Sequence, residues 1–318
     1  MRLLPTPIDS TELAQSLGGV HHGPAQQLLA VAPVTEDAAG RLCFAVKPPD
    51  QTAGCILSSS PVPGTCIVVP DPKAAFAAAL RLLFAAELSE LGEERPSVHP
   101  SAVCTSPIPD GVHIGPGTVV ESEVTLAPGC ILHAGVVVRR GCSIGPNTVL
   151  HPRVVVYPHV QIGADCVIHA GAVLGGPGFG LHPGPGGLQP LPHVGRLVLE
   201  DGVRVGPNCT VDRAFIDTTL LARGVMLDAQ VHVGHNTVVG AGSVIAAQSG
   251  LSGSVRLEPG VILGGQVGVV DHVTIGPNAQ VGAGSGVMRD VPAGEVMLGS
   301  PADRRIKTLR RWARWRRE

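Results

Sequence analysis

A six-residue spacing of branched aliphatic residues runs through most of this 318-residue chain and constrains its fold more than any other feature. The first run extends from Ile108 to Leu174, and the second extends from Leu221 to Val287. A period of six fits neither the 3.6-residue turn of an α-helix nor the alternation of an ordinary strand. It is the repeat of a parallel β-helix, in which three short strands form one triangular coil of about 18 residues. The sequence therefore predicts a mainly β protein that buries one aliphatic side chain on each face of every coil.

A second inward position is predicted four residues after each aliphatic, where the side chain is usually small. Its occupants include Thr118, Cys130, Cys142, Thr148, Cys166, Cys209, Thr237 and Ser249. The eight cysteines contain no CxxC pair, so we expect buried reduced thiols and a cytoplasmic protein. The net charge of -2 implies no general attraction to nucleic acid. No apolar run reaches the ~18 residues of a membrane helix, and the N-terminus lacks the features of a signal peptide.

Residues 1–95 carry no six-residue period and are expected to form a small α/β domain. The predicted elements are strands over 42–46 and 65–69 and an amphipathic helix over 73–91, with Asp71 and Pro72 at its start. The domain boundary is expected at 92–96, so that the β-helix occupies residues 96–298.

Two departures interrupt the repeat. Residues 175–198 form an insertion rich in glycine and proline, and the phase slips by four residues between Val211 and Phe215. Long loops in regular solenoids often carry function, although a plain surface insertion also fits the sequence. The phase slip predicts one distorted corner.

The last segment, 299–318, is predicted to be a helix that begins at Pro301 with Ser300 as its cap. It carries eight Arg or Lys residues between Arg304 and Arg317. Two interpretations remain open: a solvated helix that caps the stack of coils, and a docking surface for an acidic partner.

Histidines are the best candidates for chemistry. Those at scattered corner positions, which we expect at the surface, are His113, His133, His151, His159 and His169. His235 and His272 differ, because the aliphatics before them are 36 residues, or two coils, apart, which places both on one edge with backbones ~10 Å apart. Gly253 lies one coil after His235 and can offer a bare N–H. A base, an oxyanion donor and a second imidazole suit acyl transfer, although plain surface histidines remain the alternative. His232, elsewhere in the repeat, is expected to be dispensable.

At these residues the sequence resembles the UDP-3-O-acylglucosamine N-acyltransferases of lipid A biosynthesis. The motifs that carry the resemblance are Gly178-Phe179-Gly180, Gly195-Arg196, Thr210-Val211-Asp212-Arg213, Asp228-Ala229-Gln230-Val231-His232-Val233-Gly234-His235-Asn236, Asp271-His272 and Val287-Met288-Arg289. They follow one another in the family's order over nearly the whole chain. The resemblance implies a left-handed β-helix, a homotrimer with three active sites between neighbouring subunits, and no metal or diffusible cofactor.

The resemblance also implies catalytic roles. His235 is expected to be the general base that takes a proton from the glucosamine 2-amine as it attacks the thioester of a 3-hydroxyacyl-acyl carrier protein. The Gly253 amide is expected to bind the oxyanion, His272 to support the substrate, and Asp228 to lie close to the chemistry. Because Asp228 and His235 occupy different corners of their coil, a direct contact is easier across a subunit interface than within one chain.

Recognition of the nucleotide sugar is expected to involve the N-terminal domain. Phe44 matches an aromatic residue that the family uses around uridine, although an inward strand position would also explain a Phe here. Lys47 and Asp50 stand where the family has Asn and Tyr, and Pro177 stands where it usually has Asp. Phe179 and Arg289, in matching motifs, complete the predicted substrate-binding residues with His272 and Phe44.

Three other functions compete with this one. A coenzyme A-dependent acyltransferase could act on another nucleotide-sugar amine. A zinc hydratase of the γ-carbonic anhydrase kind needs three histidines around one metal, and in the nearest set, His232, His235 and His272, the last is too far away. A non-catalytic β-helix scaffold is suggested by the substitutions in the N-terminal segment.

Overall fold

The computed structural model describes residues 1–34, 39–44, 54–89 and 97–315. The chain divides into two compact units, Met1–Glu94 and Arg95–Glu318. The predicted boundary segment 92–96, together with Lys47 and Asp50, lies outside the described residues.

The first unit is an α/β domain built around one six-stranded sheet. Its elements are β1 (Arg2–Asp9), α1 (Ser10–Ser16), β2 (Val20–His22), β3 (Gln27–Pro33), β4 (Arg41–Phe44), β5 (Cys55–Ser58), β6 (Thr65–Val68), α2 (Pro72–Leu83) and α3 (Ala85–Leu88). The sheet order is β1-β3-β4-β5-β6-β2, with parallel strands in the centre and antiparallel pairs at both edges. Fully buried side chains of Leu13, Leu28, Leu42 and Ile67 lie in its core.

The predicted elements of this unit are present: the strand over 42–46 is seen as far as Phe44, the strand over 65–69 spans Thr65–Val68, and the helix begins at Pro72. Residues 45, 46, 90 and 91 of these predictions lie outside the described residues. The Asp71 carboxylate accepts hydrogen bonds from the N–H groups of Lys73 and Ala74, which satisfies two donors at the start of α2. The single predicted helix is interrupted at Phe84. The remaining strands and α1 lack a clear sequence signal, because their buried positions are few and irregularly spaced.

The second unit is the predicted β-helix, closed by a short helix. Its elements are, in chain order, β7 (Val103–Cys104), β8 (His113–Ile114), β9 (Val119–Val120), β10 (Thr125–Leu126), β11 (Ile131–Leu132), β12 (Val137–Val138), β13 (Ser143–Ile144), β14 (Val149–Leu150), β15 (Val155–Val156), β16 (Gln161–Ile162), β17 (Val167–Ile168), β18 (Val173–Gly176), β19 (Leu181–Gly184), β20 (Gly187–Pro190), β21 (Arg196–Leu199), β22 (Arg204–Val205), β23 (Thr210–Asp212), β24 (Thr218–Leu221), β25 (Met226–Leu227), β26 (His232–Val233), β27 (Val238–Val239), β28 (Val244–Ile245), β29 (Gly250–Leu251), β30 (Arg256–Leu257), β31 (Ile262–Leu263), β32 (Gly268–Val269), β33 (Thr274–Ile275), β34 (Gln280–Val281), β35 (Gly286–Val287), β36 (Val296–Leu298), β37 (Asp303–Arg304) and α4 (Arg305–Trp315).

Three sheets of 8, 11 and 10 strands form the faces of the prism. Successive strands within a face are parallel, except for β37, which pairs antiparallel with β36 at the end of the 11-stranded face. Residues 18 positions apart pair directly, as Leu132 does with Leu150. The spacing grows to 22 where Val211 pairs with Val233, at the predicted phase slip. The structure therefore confirms the parallel β-helix that the six-residue period predicts.

The inward aliphatics form one continuous core along the prism. Each fully buried Val, Leu or Ile side chain contributes roughly 1.5–3 kcal/mol, so the stack of coils is held mainly by this column. The small inward residues are buried too, and they donate to carbonyls of the following coil, as the Thr148 hydroxyl does to Gly163 at 2.8 Å. Thiols take the same role: Cys142 Sγ lies 3.0 Å from the Tyr157 carbonyl oxygen. All eight cysteines are free, and seven of them are buried, while Cys104 is half-buried.

The prediction that the scattered histidines lie at the surface is confirmed for His159, which is exposed, but is wrong for the other four, which are buried or half-buried. His113 is buried, with 9% of its surface exposed, and the rings of His113, His133, His151 and His169 form a column along one corner. Their centroids are 6.5, 5.3 and 4.7 Å apart in that order. Three of the four are spaced by 18 residues, so the coil repeat stacks their rings directly.

The C-terminal helix begins later than predicted. Ser300 and Pro301 belong to a turn with a cis peptide bond, and α4 starts at Arg305, after the short strand β37. Asp303, rather than Ser300, is the polar residue at the start of this helix, and its carboxylate lies 3.6–3.9 Å from the charged groups of Arg289, Lys307 and Arg311. Across the described ranges, no helix combines the length and apolar character that crossing a bilayer requires.

Candidate active site

The two departures from the repeat pack against each other at one edge of the prism. The Arg213 guanidinium donates to the carbonyls of Gly175 and Pro158, both at 2.7 Å, and burial lowers the pKa of this side chain. Farther along, the Val194 N–H donates to the Phe215 carbonyl at 2.9 Å. The four extra residues after Val211 therefore anchor both ends of the insertion.

The insertion folds back toward His235. It leaves the prism after Gly176, forms the hairpin β19–β20 and returns at Arg196. A Cβ atom at Gly178 would lie 2.8 Å from the His235 Cβ, so the close approach requires glycine at this position. The ring of His193 meets the His235 ring edge-on, with centroids 5.1 Å apart.

Hydrogen bonds fix the tautomer of His235. Asn236 Nδ2 donates to the Ile216 carbonyl at 2.7 Å, and its Oδ1 accepts from the Phe215 N–H at 2.9 Å, which sets the orientation of the amide. The same Oδ1 lies 3.0 Å from His235 Nδ1, so this nitrogen must carry a proton. The other ring nitrogen, Nε2, is therefore the bare one and is free to act as a base.

Gly253 stacks directly over His235. A Cβ atom at Gly253 would lie 2.6 Å from both Cε1 and Nε2 of the imidazole. The Gly253 carbonyl accepts from the His272 N–H at 3.3 Å, while its own N–H donates to no group of the described residues. His235, Gly253 and His272 thus follow one another along the edge, as the spacing predicts.

These residues line an open cavity of about 720 Å³. Phe179, Asp212 and His232 contribute to its wall with the three residues of the edge. Phe179 is 83% exposed, although it belongs to the lining. Glycines of β29, β32 and β35 also line the cavity, and they add no side chains to this face of the prism. In the part of the chain that the structure describes, no three His, Cys, Asp or Glu side chains are arranged to hold a metal ion.

Asp212 and His232 are site residues that our reasoning from the sequence missed. The Asp212 side chain is only 14% exposed, and its Oδ2 lies 3.7 Å from His232 Nε2. Desolvation raises the pKa of the Asp212 carboxyl, against the lowering effect of neighbouring imidazoles. His232 Nδ1 is 2.8 Å from the Thr210 hydroxyl. The expectation that His232 is dispensable loses its basis, because the residue lines the cavity and pairs with a desolvated carboxylate.

Three predicted site residues lie elsewhere in this chain. Asp228 follows the 11-stranded face, one strand before the edge with His235, and its exposed carboxylate accepts from the Ala229 N–H. Arg289 does not line the cavity and points to Asp303 at 3.9 Å. Phe44, in the other unit, stacks on Phe76 with ring centroids 5.3 Å apart.

Comparisons with known proteins agree with this architecture. Residues 141–176 match the family model described as bacterial transferase hexapeptide (six repeats). A UDP-3-O-acylglucosamine N-acyltransferase of Dechloromonas aromatica (strain RCB) is 41% identical over 254 residues, covering 76% of this chain and 72% of the relative. One of Coxiella burnetii (strain Dugway 5J108-111) is 34% identical over 258 residues, covering 77% and 74%. The solved UDP-N-acetylglucosamine O-acyltransferase of Moraxella catarrhalis RH4 is 25% identical with a TM-score of 0.51, covering 68% of this chain and 77% of that one.

Proposed function

Since the chain belongs to the UDP-3-O-acylglucosamine N-acyltransferase family, we propose that it moves a 3-hydroxyacyl chain from acyl carrier protein to the 2-amine of UDP-3-O-acylglucosamine in lipid A biosynthesis. The observation that carries the proposal is the orientation of His235. Its Nδ1 donates a hydrogen bond to Asn236 Oδ1, and its unprotonated Nε2 lies beside Gly253, whose N–H has no acceptor among the described residues.

The proposed chemistry needs a base and an oxyanion donor side by side. His235 Nε2 removes a proton from the attacking nitrogen and returns it to the departing thiolate. The Gly253 N–H donates to the carbonyl oxygen as negative charge develops there, in a site partly closed by the insertion. His272, one coil farther along the edge, supports the bound substrate, and Phe179 covers it from the side of the insertion.

The test compares acyl donors and a matched pair of histidine variants. Purified protein should transfer the acyl chain from 3-hydroxyacyl-acyl carrier protein and not from acetyl-coenzyme A. His235→Ala should lower kcat by about 10²- to 10⁴-fold, the usual contribution of a general base, and leave substrate binding nearly unchanged. His182→Ala is the control, because His182 is exposed on the hairpin outside the cavity lining.

Each outcome separates the hypotheses. Near-normal kcat in His235→Ala contradicts the mechanism. Turnover of acetyl-coenzyme A with a nucleotide-sugar amine supports the coenzyme A-dependent alternative instead. Absence of transfer from either donor by the unaltered protein leaves the scaffold interpretation.

The proposal includes a homotrimer in which Asp228 serves a neighbour's site. On the 11-stranded face, Met226, Val244 and Ile262 lie in register and expose 47, 40 and 46% of their surfaces. Such an exposed apolar column is typical of a surface that another subunit covers. Asp228 comes directly after β25 at the border of the same face, so a subunit packed there also meets this carboxylate.

Mixing two inactive variants tests this arrangement. In a trimer of Asp228→Asn and His235→Ala subunits, some interfaces combine an intact Asp228 with a neighbour's intact His235. Random mixing restores about a quarter of the sites if the two residues act across the interface. No recovery after co-refolding, with trimers formed as judged by light scattering, rejects the shared site.

Phe44 is proposed to stack on the uracil ring. One face of Phe44 is taken by Phe76, and the side chain as a whole is half-buried at the end of β4. A nucleotide base could therefore meet only the opposite face, in a stack of two protein rings and one base. In this proposal residues 1–95 form the uridine-binding domain.

The basic helix α4 is proposed to dock the carrier protein, which is acidic. Arg304 pairs with Glu295, and Arg311 lies near Asp303. Arg305, Arg310 and Arg314 form no salt bridge within the described residues, so their charges are available to a partner. Free thiols throughout the chain support a location in the reducing cytoplasm.

A further inference from the structure

The pair Asp212–His232 is the feature of the cavity that a general base and an oxyanion donor leave unexplained. Asp212 belongs to β23, and its carboxylate is largely removed from water. A desolvated carboxylate is unfavourable unless a positive charge or strong donors accompany it. The neighbouring Arg213 cannot serve, because its guanidinium is committed to two carbonyls on the other side.

Three imidazoles surround this carboxylate. His232 lies nearest, with its Nε2 3.7 Å from Asp212 Oδ2, and His235 and His193 are also close enough to lower the pKa of the carboxyl when they are protonated. His193 Nδ1 lies 2.9 Å from the Leu191 carbonyl, to which it must donate, so the bare Nε2 of His193 has no proton for Asp212 when the ring is neutral. Asp271 and His272 line the same cavity but are exposed. Asp212 is therefore the one largely desolvated acid of the cavity lining.

The substrate of the proposed reaction presents the missing charge. A sugar amine flanked by carbons that carry electron-withdrawing oxygens resembles an α-amino group, whose pKa is about 8, so it is largely protonated at pH 6.5. An ammonium group has no lone pair with which to attack a thioester. It must lose one proton before the attack and a second one after it. His235 can hold only one proton at a time.

We propose that Asp212, paired with His232, forms a subsite for the protonated amine of the acceptor and accepts its first proton; this inference rests on the proposed function. In the first step an N–H bond of the ammonium breaks and an O–H bond forms on Asp212, which leaves a neutral amine. The amine nitrogen then bonds to the thioester carbon, and the carbonyl electron pair moves to oxygen. His235 takes the second proton, the C–S bond breaks, and the thiolate receives that proton. Asp212 finally releases its proton to solvent.

Binding measurements without any acyl donor isolate this step. The two ligands are UDP-3-O-acylglucosamine and its analogue with a hydroxyl group in place of the 2-amine, measured by calorimetry at pH 6.5 and pH 9. Asp212→Asn should weaken binding of the amine at pH 6.5 by about 10- to 100-fold, as expected for loss of a hydrogen bond to a charged group. The loss should shrink to about 3-fold at pH 9, on the same basis, because the amine is then largely neutral. Binding of the hydroxyl analogue should not change.

Two further variants sharpen the result. Asp212→Glu keeps the charge and should keep the preference for the amine. Asp201→Asn removes an exposed carboxylate outside the cavity and should leave both affinities unchanged. The inference is overturned if Asp212→Asn weakens both ligands equally, or weakens the amine equally at both pH values. If Asp212→Asn does not fold, a preference for the amine that stays constant from pH 6.5 to pH 9 in the unaltered protein and Asp212→Glu overturns it as well.

Failure of the inference can be told apart from failure of the proposed function. If the unaltered protein binds and acylates the amine with full dependence on His235 but Asp212→Asn behaves normally, only the ammonium subsite is wrong. If the unaltered protein acylates no amine acceptor, the proposed function itself is wrong, whatever Asp212 does.

Discussion

Replacement of Gly253 by alanine should separate catalysis from stability in this protein. The new methyl group would stand 2.6 Å from Cε1 and Nε2 of His235, where 3.4 Å is the beginning of ordinary contact. The imidazole must therefore move by about 0.8 Å, or rotate away from Asn236. A displacement of about 1 Å at a reacting group can cost on the order of 10²-fold in rate, so kcat should fall by that amount.

The same substitution should not weaken the fold. The backbone at Gly253 does not have a positive φ, so alanine is tolerated there without strain. Gly→Ala at such a position commonly adds about 0.4–1 kcal/mol of stability, because the unfolded chain loses freedom. The clash with one movable ring offsets part of this gain, and the unfolding temperature should change little.

The assay combines steady-state transfer from 3-hydroxyacyl-acyl carrier protein with thermal unfolding. Gly265→Ala is the matched control, because its new Cβ would meet only the Ala247 carbonyl, at 3.4 Å, and Gly265 is not part of the cavity lining. Normal kcat in Gly253→Ala would refute the argument that His235 must keep its place under Gly253. A large fall in unfolding temperature would show that the backbone, and not the ring, absorbs the clash.

Four more results are expected. Desolvation raises the pKa of Asp212 in the folded protein, so ionisation of this carboxyl lowers the stability of the fold as pH rises. Asp212→Asn should therefore raise the unfolding temperature at pH 8, and this gain should vanish toward pH 4. A constant difference from pH 4 to pH 8 contradicts this. In native protein at pH 8, iodoacetamide should label the half-buried Cys104 first, as mass spectrometry can show. Burial raises the pKa of Cys55 to about 12 and that of Cys142 to about 11, so both thiols should stay unlabelled until the protein unfolds. Phe44→Ala should weaken binding of UDP-sugar by roughly 5- to 100-fold in calorimetry, and more than Phe76→Ala does; equal losses would assign Phe44 to the core alone. Reversal of Arg305, Arg310 and Arg314 to Glu should raise KM for the carrier-bound donor at low salt and leave a short soluble thioester unaffected; an equal effect on both donors would mean that the helix is structural.

The β-helix could be read from the sequence because its repeat is strict and long. Each inward aliphatic is a local signal, and the pairing of residues 18 apart follows from counting alone. The edge with His235, Gly253 and His272 could be predicted by the same count. Three of the four stacked imidazoles obey this count as well, and we missed the column because corner positions were assumed to be exposed.

Other parts of the site depend on where the chain leaves the repeat. The contact of His193 with His235 cannot be counted, because a hairpin of irregular length separates His193 from the preceding coil. The start of α4 was misplaced because Ser300-Pro301 has the composition of a helix start, while the backbone there makes a turn.

Because the β-helix is built from whole coils, its length can change only in steps of one coil. Thr125 pairs with Ser143 across one complete coil, so removal of residues 125–142 would join Val124 to Ser143 and return every later residue to the same face. The stack would become shorter by one strand spacing, about 4.8 Å, while the anchored insertion and the edge beside it would travel as one piece. Gain or loss of whole coils can therefore change the length of such an enzyme in fixed increments without redesign of its chemistry.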